Sequence, residues 1–207
     1  MSHPPITVKL SGPYACFTRP EMHTERVTYE VPTPSAMRGA LEAIFFKPQM
    51  RWRIREIQVL KPIKHASIMR NEVNLKASPQ NDGIDIISER TQRHAMVLRD
   101  VAYIVKADVY VPGSDADAEA VKHRDQFRRR VRRGACFHRP YFGCREFAVD
   151  FSDPDGTETP IDYSADLGLM LFDIDYGPAR NVPRFFEAKI ERGVIRIDPS
   201  LYERSTP

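Results

Sequence analysis

An α+β fold is predicted for this chain of 207 residues: a ferredoxin-like βαββαβ unit followed by a small antiparallel β appendage. Three observations predict it. Strand-period and helix-period stretches alternate in the order strand, helix, strand, strand, helix, strand up to Phe151. Both helical stretches carry start and stop signals. Beyond Phe151 only strand alternation and a hairpin signal remain. The expected units are therefore 1–151 and 152–207, a size that one domain with an appendage can fill, and 42% hydrophobic content is enough to bury a core.

The first strand is ITVKL, Ile6 to Leu10, which alternates. Thr33 then supplies a cap and Pro34 a first helical residue, opening SAMRGALEAIFF, and Lys47-Pro48 closes that helix. Met50 to Leu60 is rich in strand formers, with Trp52 and Ile54 alternating against Arg51, Arg53 and Arg55, so one face of this strand is basic. Residues 61–92 show weak periodicity and contain SPQNDG at 78–83, which reads as a long excursion. Val101, Tyr103, Val105, Ala107, Val109 and Val111 alternate as a clear strand ended by Pro112-Gly113. Ser114 and Asp117 form a capping box, with Asp115, Asp117 and Glu119 at the positive end of the second helix and arginines crowding its negative end before Gly134. CREFAVDF, 144–151, is the expected sixth element. The appendage holds LGLMLFDID at 167–175 and the hairpin RFFEAKIERGVIRID at 184–198, turning near Arg192-Gly193.

Several classes are disfavoured. Apolar runs such as LGLMLF fall far short of the ~20 residues of a membrane helix, and the N-terminal stretch lacks a basic segment followed by an apolar one, so a cytoplasmic location is expected. Cys16, Cys136 and Cys144 form no C-x-x-C pair, and Cys136-x-His138 beside Cys144 fits no common zinc spacing. No glycine loop of the dinucleotide or Walker type is present. Asp162, Asp166, Asp173 and Asp175 offer carboxylates for a metal nuclease, yet Asp173 and Asp175 alternate as the solvated face of a strand would. No cofactor is called for, and His65, His94 and His138 read as structural or surface residues.

The net charge of +3 conceals an uneven distribution. Residues 38–65 carry +5 and 121–145 carry +8, while 66–120 carry −3 and 146–207 carry −7. The run Arg128, Arg129, Arg130, Arg132, Arg133 has one nearby acid, Asp125, and is the footprint of a surface that neutralises phosphates. On the same helix His123 shares a face with Phe127 and Val131, and Lys122 lies about 100° around. A packed histidine on an apolar stripe is the plain alternative. The chemical reading is that a histidine near its ~6.5 reference pKa moves a proton while lysine steadies a developing phosphorane, which suits attack of an RNA 2′-hydroxyl on its own phosphate. Phe147-Ala-Val149-Asp-Phe151 is a weak match to the aromatic strand of RNA-recognition domains, with Glu146 where their glycine stands.

The combination of ITVKLSGPYACFTRP, YEVPTPSAMRGALEAIFFKPQMRWRIREIQVLKPI, AVKHRDQFRRRVRRG and CFHRPYFGCREF resembles the CRISPR-associated RAMP proteins of the Cas "five" family in their subtype I-C form. The resemblance implies a RAMP-type ferredoxin-like domain and metal-independent cleavage of precursor crRNA within the repeat stem-loop, leaving a 2′,3′-cyclic phosphate. It also implies retention of the crRNA handle in an interference complex with other type I-C Cas subunits. The catalytic pair falls on Lys122 and His123, and the family tyrosine falls on Phe45, which has no hydroxyl; Tyr14, Tyr29 and Tyr141 are candidates to replace it. The expected RNA contacts are Arg38, Arg51, Arg53, Arg55, Arg124, Arg128, Arg129, Arg132 and Arg133. Two alternatives stay open: a non-catalytic scaffold for the crRNA handle, favoured by Phe45, and a general binder that also engages duplex DNA. The acidic appendage is expected to face away from RNA.

Overall fold

The computed structural model describes residues 4–22, 24–76, 78–79, 83–113, 116–176 and 180–203. The expected capping box at Ser114 and part of SPQNDG lie outside them. Strand β1, Ile6–Ala15, buries Ile6, Val8 and Leu10 in strict alternation. Helix α1, Pro34–Ile44, starts where predicted: the Thr33 side chain accepts a hydrogen bond from the Ala36 amide at 3.2 Å and Pro34 sits in the first turn. Strands β2, Arg51–Val59, β3, His65–Val73, and β4, Arg90–Tyr110, follow, then helix α2, Ala116–Arg132, and the short strand β5, Asp150–Ser152. The C-terminal part holds β6, Ala165–Tyr176, β7, Asn181–Ile190, β8, Val194–Arg196, and the single turn α3, Ser200–Glu203.

The fold is mixed α/β with antiparallel sheets. The main sheet has the order β5-β1-β4-β2-β8, with β3 branching from β4, and β6 pairs with β7 in a separate two-stranded ribbon. Residues opposite one another on neighbouring strands share a face. Leu10, Tyr103 and Val59 therefore line one side with Val8, Val105 and Ile57, and α1 and α2 cover that side, burying Trp52 against Phe127 at 4.8 Å. A buried side chain of this size contributes about 1.5–3 kcal/mol. The ribbon lies along α1, and its Met170, Leu171, Phe172 and Phe186 join the same core.

Three expectations need correction. The excursion at 61–92 is mostly a hairpin arm: β3 pairs antiparallel with the first half of β4, from His65 opposite Leu98 to Val73 opposite Arg90. Its half-buried face begins with Ala66 and Ile68 and continues with Arg70 and Glu72, so charged residues break the apolar period. Those charges are satisfied in a network in which Arg26, Arg70 and Arg93 lie 3.4–3.6 Å from Glu72, and Arg70 also pairs with Glu146. CREFAVDF is strand only from Asp150. Gly143 has φ of 79°, and the Phe147 amide closes a turn on the Cys144 carbonyl at 2.9 Å, so Phe147 is buried by a loop. Finally, the hairpin at Arg192-Gly193 has positive φ at both positions, as a two-residue turn requires, but it hands the chain from the ribbon back to the main sheet, where β8 pairs with β2.

The segment after β5 crosses the other side of the main sheet. It leaves at the β5 edge, passes Lys9, which pairs with Glu158 at 3.0 Å and Asp155 at 4.0 Å, and reaches β2, where the Ile161 amide bonds the Val59 carbonyl. Ala102 and Ile104 are buried on that side. No helix among the described residues is long and apolar enough to cross a membrane.

Candidate functional site

The spacing 123, 127, 131 sets the buried stripe of α2, and His123, Phe127 and Val131 all point inward, joined by Arg124. His123 is 3% exposed. Its ring faces Phe45, with centroids 5.8 Å apart and planes tilted by 49°. Phe45 is fixed as the cap of α1: its amide bonds the Leu41 carbonyl, its φ and ψ of −150° and 120° turn the chain out of the helix, and its carbonyl accepts from Trp52 Nε1 at 3.1 Å. Arg130 closes the group, with its guanidinium 5.5 Å from the Phe45 centroid and a 3.0 Å hydrogen bond to the Ile44 carbonyl. A cation is favoured there, at the negative end of α1.

Neither ring nitrogen of His123 has a hydrogen-bond partner. An unpaired buried polar group costs about 1–3 kcal/mol, so packing alone gives no reason for histidine here. The nearest charge is Glu119, whose carboxylate lies 3.6 Å from His123 Nε2 and 3.3 Å from Lys122 Nζ. One carboxylate thus touches both members of the predicted pair.

Lys122 is exposed and lines a groove of about 680 Å³ with Gln126, Arg129, Arg132 and Arg133. A second hollow of about 410 Å³ is lined by Phe45, Lys47, Gln126, Arg129, Arg130 and Arg133. His123 lines neither, because Phe45 stands between it and the second hollow. Among the described residues Arg128, Arg129 and Arg133 have no carboxylate within ion-pair distance, so their charge is available to an external polyanion.

The other predicted contacts are dispersed. Arg132 pairs with Asp153 at 3.1 Å. Arg124 is buried, and burial followed by Arg128 pulls its pKa down. Arg38 pairs with Asp173 and with Glu42 at 3.6 Å. On β2, Arg51 is exposed and bonds the Pro48 and Met50 carbonyls, Arg53 stacks 3.7 Å over Tyr110, and Arg55 pairs with Asp108 at 3.0 Å. That strand face is largely neutralised from within, because β4 opposes it with Asp108 and Lys106 pairs with Glu56. The candidate tyrosines lie elsewhere. Tyr14 packs on Phe147, the Tyr29 hydroxyl accepts from the Leu171 amide, and Tyr141 lines a separate cavity with Arg38 and Asp173. Asp173 and Asp175 are both held by Arg184, at 4.0 and 2.9 Å.

Sequence reasoning passed over Gln126 and the contacts that Glu119 and Arg130 make, reading Glu119 for the helix dipole and Arg130 as one of the basic run. Glu119 was legible as the residue one helical turn before His123. Arg130 was not, because its role depends on where α1 ends.

The chain matches the profile of the family described as CRISPR-associated protein (Cas_Cas5), subtype Cas5d, over residues 6–198. It belongs to that family. A Mannheimia succiniciproducens protein named CRISPR pre-crRNA endoribonuclease Cas5d is 41% identical, over 96% of this chain and 96% of its own. A Thermus thermophilus protein of the same name is 39% identical, over 96% and 93%. Among solved structures, one titled as a CRISPR-associated protein has a TM-score of 0.68 at 23% identity, covering 95% of each chain. A functionally uncharacterized Streptococcus mutans protein also has a TM-score of 0.68, at 22% identity, covering 94% of this chain and 92% of its own. These two likenesses show a shared fold alone; the family rests on the sequence matches.

Proposed function

We propose that the chain is a metal-independent endoribonuclease that cuts precursor crRNA in the repeat stem-loop and keeps the crRNA handle within a type I-C complex of Cas subunits. The observation that carries this reading is the juxtaposition on α2: Lys122 on a basic groove, His123 directly behind it with both nitrogens unpaired, and Glu119 touching both. The two Cas5d relatives, each about two-fifths identical over nearly the whole chain, support the same activity.

In this reading the RNA backbone runs along the arginine side of α2. The 2′-hydroxyl next to the scissile phosphate attacks phosphorus, the 5′-oxygen leaves, and a 2′,3′-cyclic phosphate remains. His123 moves the proton, Lys122 balances the charge that grows on the phosphorane oxygens, and Glu119 holds both side chains in place. Rotation of the Phe45 ring opens His123 to the hollow that Arg129 and Arg130 line. The ferredoxin-like reading of 1–151 is supported by the antiparallel order β5-β1-β4-β2 with α1 and α2 on one side, and the unit 152–207 by the separately paired ribbon.

The second reading, a handle-binding scaffold without turnover, is favoured by Phe45, which brings no hydroxyl and covers His123. Incubating the protein with cognate repeat RNA in EDTA separates them. The endonuclease gives one cut with a cyclic phosphate end, lost in Lys122→Ala, in His123→Ala and with a 2′-deoxy scissile nucleotide. Tight, salt-sensitive binding of uncut RNA supports the scaffold, and equal competition by random duplex DNA at physiological salt supports general polyanion binding.

A further inference from the structure

The loop after α2 is pinned at both ends. Gly134, with φ of 63°, ends the helix: its amide bonds the Val131 carbonyl at 3.0 Å, and the Ala135 amide bonds the Arg130 carbonyl at 2.9 Å. Further along, the amides of Phe137 and His138 both donate to the Ala43 carbonyl, at 2.9 and 3.1 Å, and so satisfy an acceptor that the last turn of α1 leaves open. Between these anchors Ala135 and Cys136 form a wall of the hollow of about 410 Å³ that Arg129, Arg130 and Arg133 line.

This fixed backbone leaves the Phe137 ring 74% exposed. The ring meets that of the exposed His138 at 89°, with centroids 5.6 Å apart, and a perpendicular neighbour covers at most one face of it. Among the described large apolar side chains only Ile87 and Tyr176 are more exposed, and neither stands in an element that lines the hollow. A second phenyl ring, Phe46, is 46% exposed and likewise follows directly on a lining residue, Phe45. Isolated exposed apolar residues are ordinary, but packing does not account for two bare phenyl rings next in chain to the lining of one cationic hollow. Arginines neutralise the phosphates of any nucleic acid, whereas an open aromatic face takes a base that has left its own stack. Such bases belong to single strands and loops.

We propose that Phe137 is a stacking site for an unpaired nucleobase of the bound RNA, and that it makes this face of the protein prefer single-stranded segments to duplex. The base lies on the open phenyl face, His138 braces the ring, and Arg129, Arg130 and Arg133 take the neighbouring phosphates. The inference deepens the proposed function: it rests on RNA as the ligand and not on whether that RNA is cut.

The test uses the full chain carrying His123→Ala, so that bound RNA stays intact, and repeat RNAs in which 5-iodouridine replaces one nucleotide at a time. Near-ultraviolet light is expected to join an unpaired position to Phe137, located by mass spectrometry of the cross-linked peptide. Adding Phe137→Ala is expected to weaken binding of the repeat RNA roughly 5–150-fold, the usual worth of one base–aromatic stack, and to leave binding of a fully paired duplex unchanged. Phe137→Tyr should hold the affinity, and Phe137→Leu, which keeps apolar bulk without a π face, should not. Unchanged affinity in Phe137→Ala overturns the stack and leaves RNA binding standing, as do cross-links from unpaired positions that all fall on other residues. An equal loss for the duplex also overturns it, by showing that the ring serves only the shape of the loop. If the chain binds no repeat RNA, the inference and the reading beneath it fall together.

Discussion

Replacing His123 with leucine, a side chain of similar volume, gives stability and activity opposite signs. The imidazole is 3% exposed, lies between Phe45, Phe127 and the body of α2, and leaves one donor and one acceptor unpaired, with only Glu119 at 3.6 Å in partial compensation. Each unmade buried hydrogen bond costs about 1–3 kcal/mol. Leucine removes both groups and keeps the contact with Phe45, so His123→Leu is expected to gain about 1–2 kcal/mol after some loss of fit. For a chain of this length that raises Tm by about 2–8 °C. Cleavage of repeat RNA falls by about 100–10,000-fold, the usual worth of a positioned proton-transfer group. Thermal denaturation beside a single-turnover assay reads both quantities. A variant destabilised by more than ~1 kcal/mol would show that the imidazole is a satisfied structural residue, and unchanged cleavage would remove it from the chemistry.

Phe45→Tyr places a hydroxyl beside the imidazole and under Arg130, and single-turnover cleavage is expected to rise about tenfold or more; no change in a folded variant would show that the pocket does not use a phenol. Glu119→Gln keeps the shape but removes the charge that faces Lys122 and His123, so single-turnover cleavage should slow while RNA affinity holds; an unchanged rate would refute its positioning role. The double variant Arg129→Ala with Arg133→Ala should weaken RNA binding without regard to sequence and make the salt dependence shallower by about 1–2 in log–log slope. Burial opposes ionisation of Glu56, but the Gln58 amide and Lys106 outweigh it and hold its pKa below the usual carboxylate range. That stability is present above the unfolded carboxylate's range and is lost as pH falls through the lower folded value, so Glu56→Gln should flatten the acid side of a stability–pH curve.

Much of this architecture was legible from short-range signals. Thr33-Pro34 starts α1, alternation from Val101 marks the second half of β4, and Arg192-Gly193 marks its turn. The failures have physical causes. The arm hides its period because Arg70 and Glu72 stand where apolar residues would announce a strand, their burial made tolerable by Arg26, Arg93 and Glu146, which come from distant parts of the chain. CREFAVDF reads as a strand because Phe147 and Val149 are buried, yet they are held by a loop that folds back on 140–142 around the single bridge of Tyr141 and Ala148, and the strand in the main sheet begins only at Asp150. In the site, spacing placed Lys122 and His123 on adjacent faces of one helix. It held no information about Phe45 covering the imidazole, because that contact joins the end of α1 to the middle of α2.

The strap from β5 to β2 bears on where nucleic acid is admitted. RNA-recognition domains use the open side of their sheet as a platform. Here Asp155 and Glu158 already hold Lys9 on that side. A phosphate arriving there competes with carboxylates tethered through a few residues, whose effective concentration is on the order of millimolar and does not fall on dilution. The sheet side therefore carries its own permanent competitor; on α2 the strap's Asp153 takes up Arg132 alone, and among the described residues Arg128, Arg129 and Arg133 have no carboxylate within ion-pair distance.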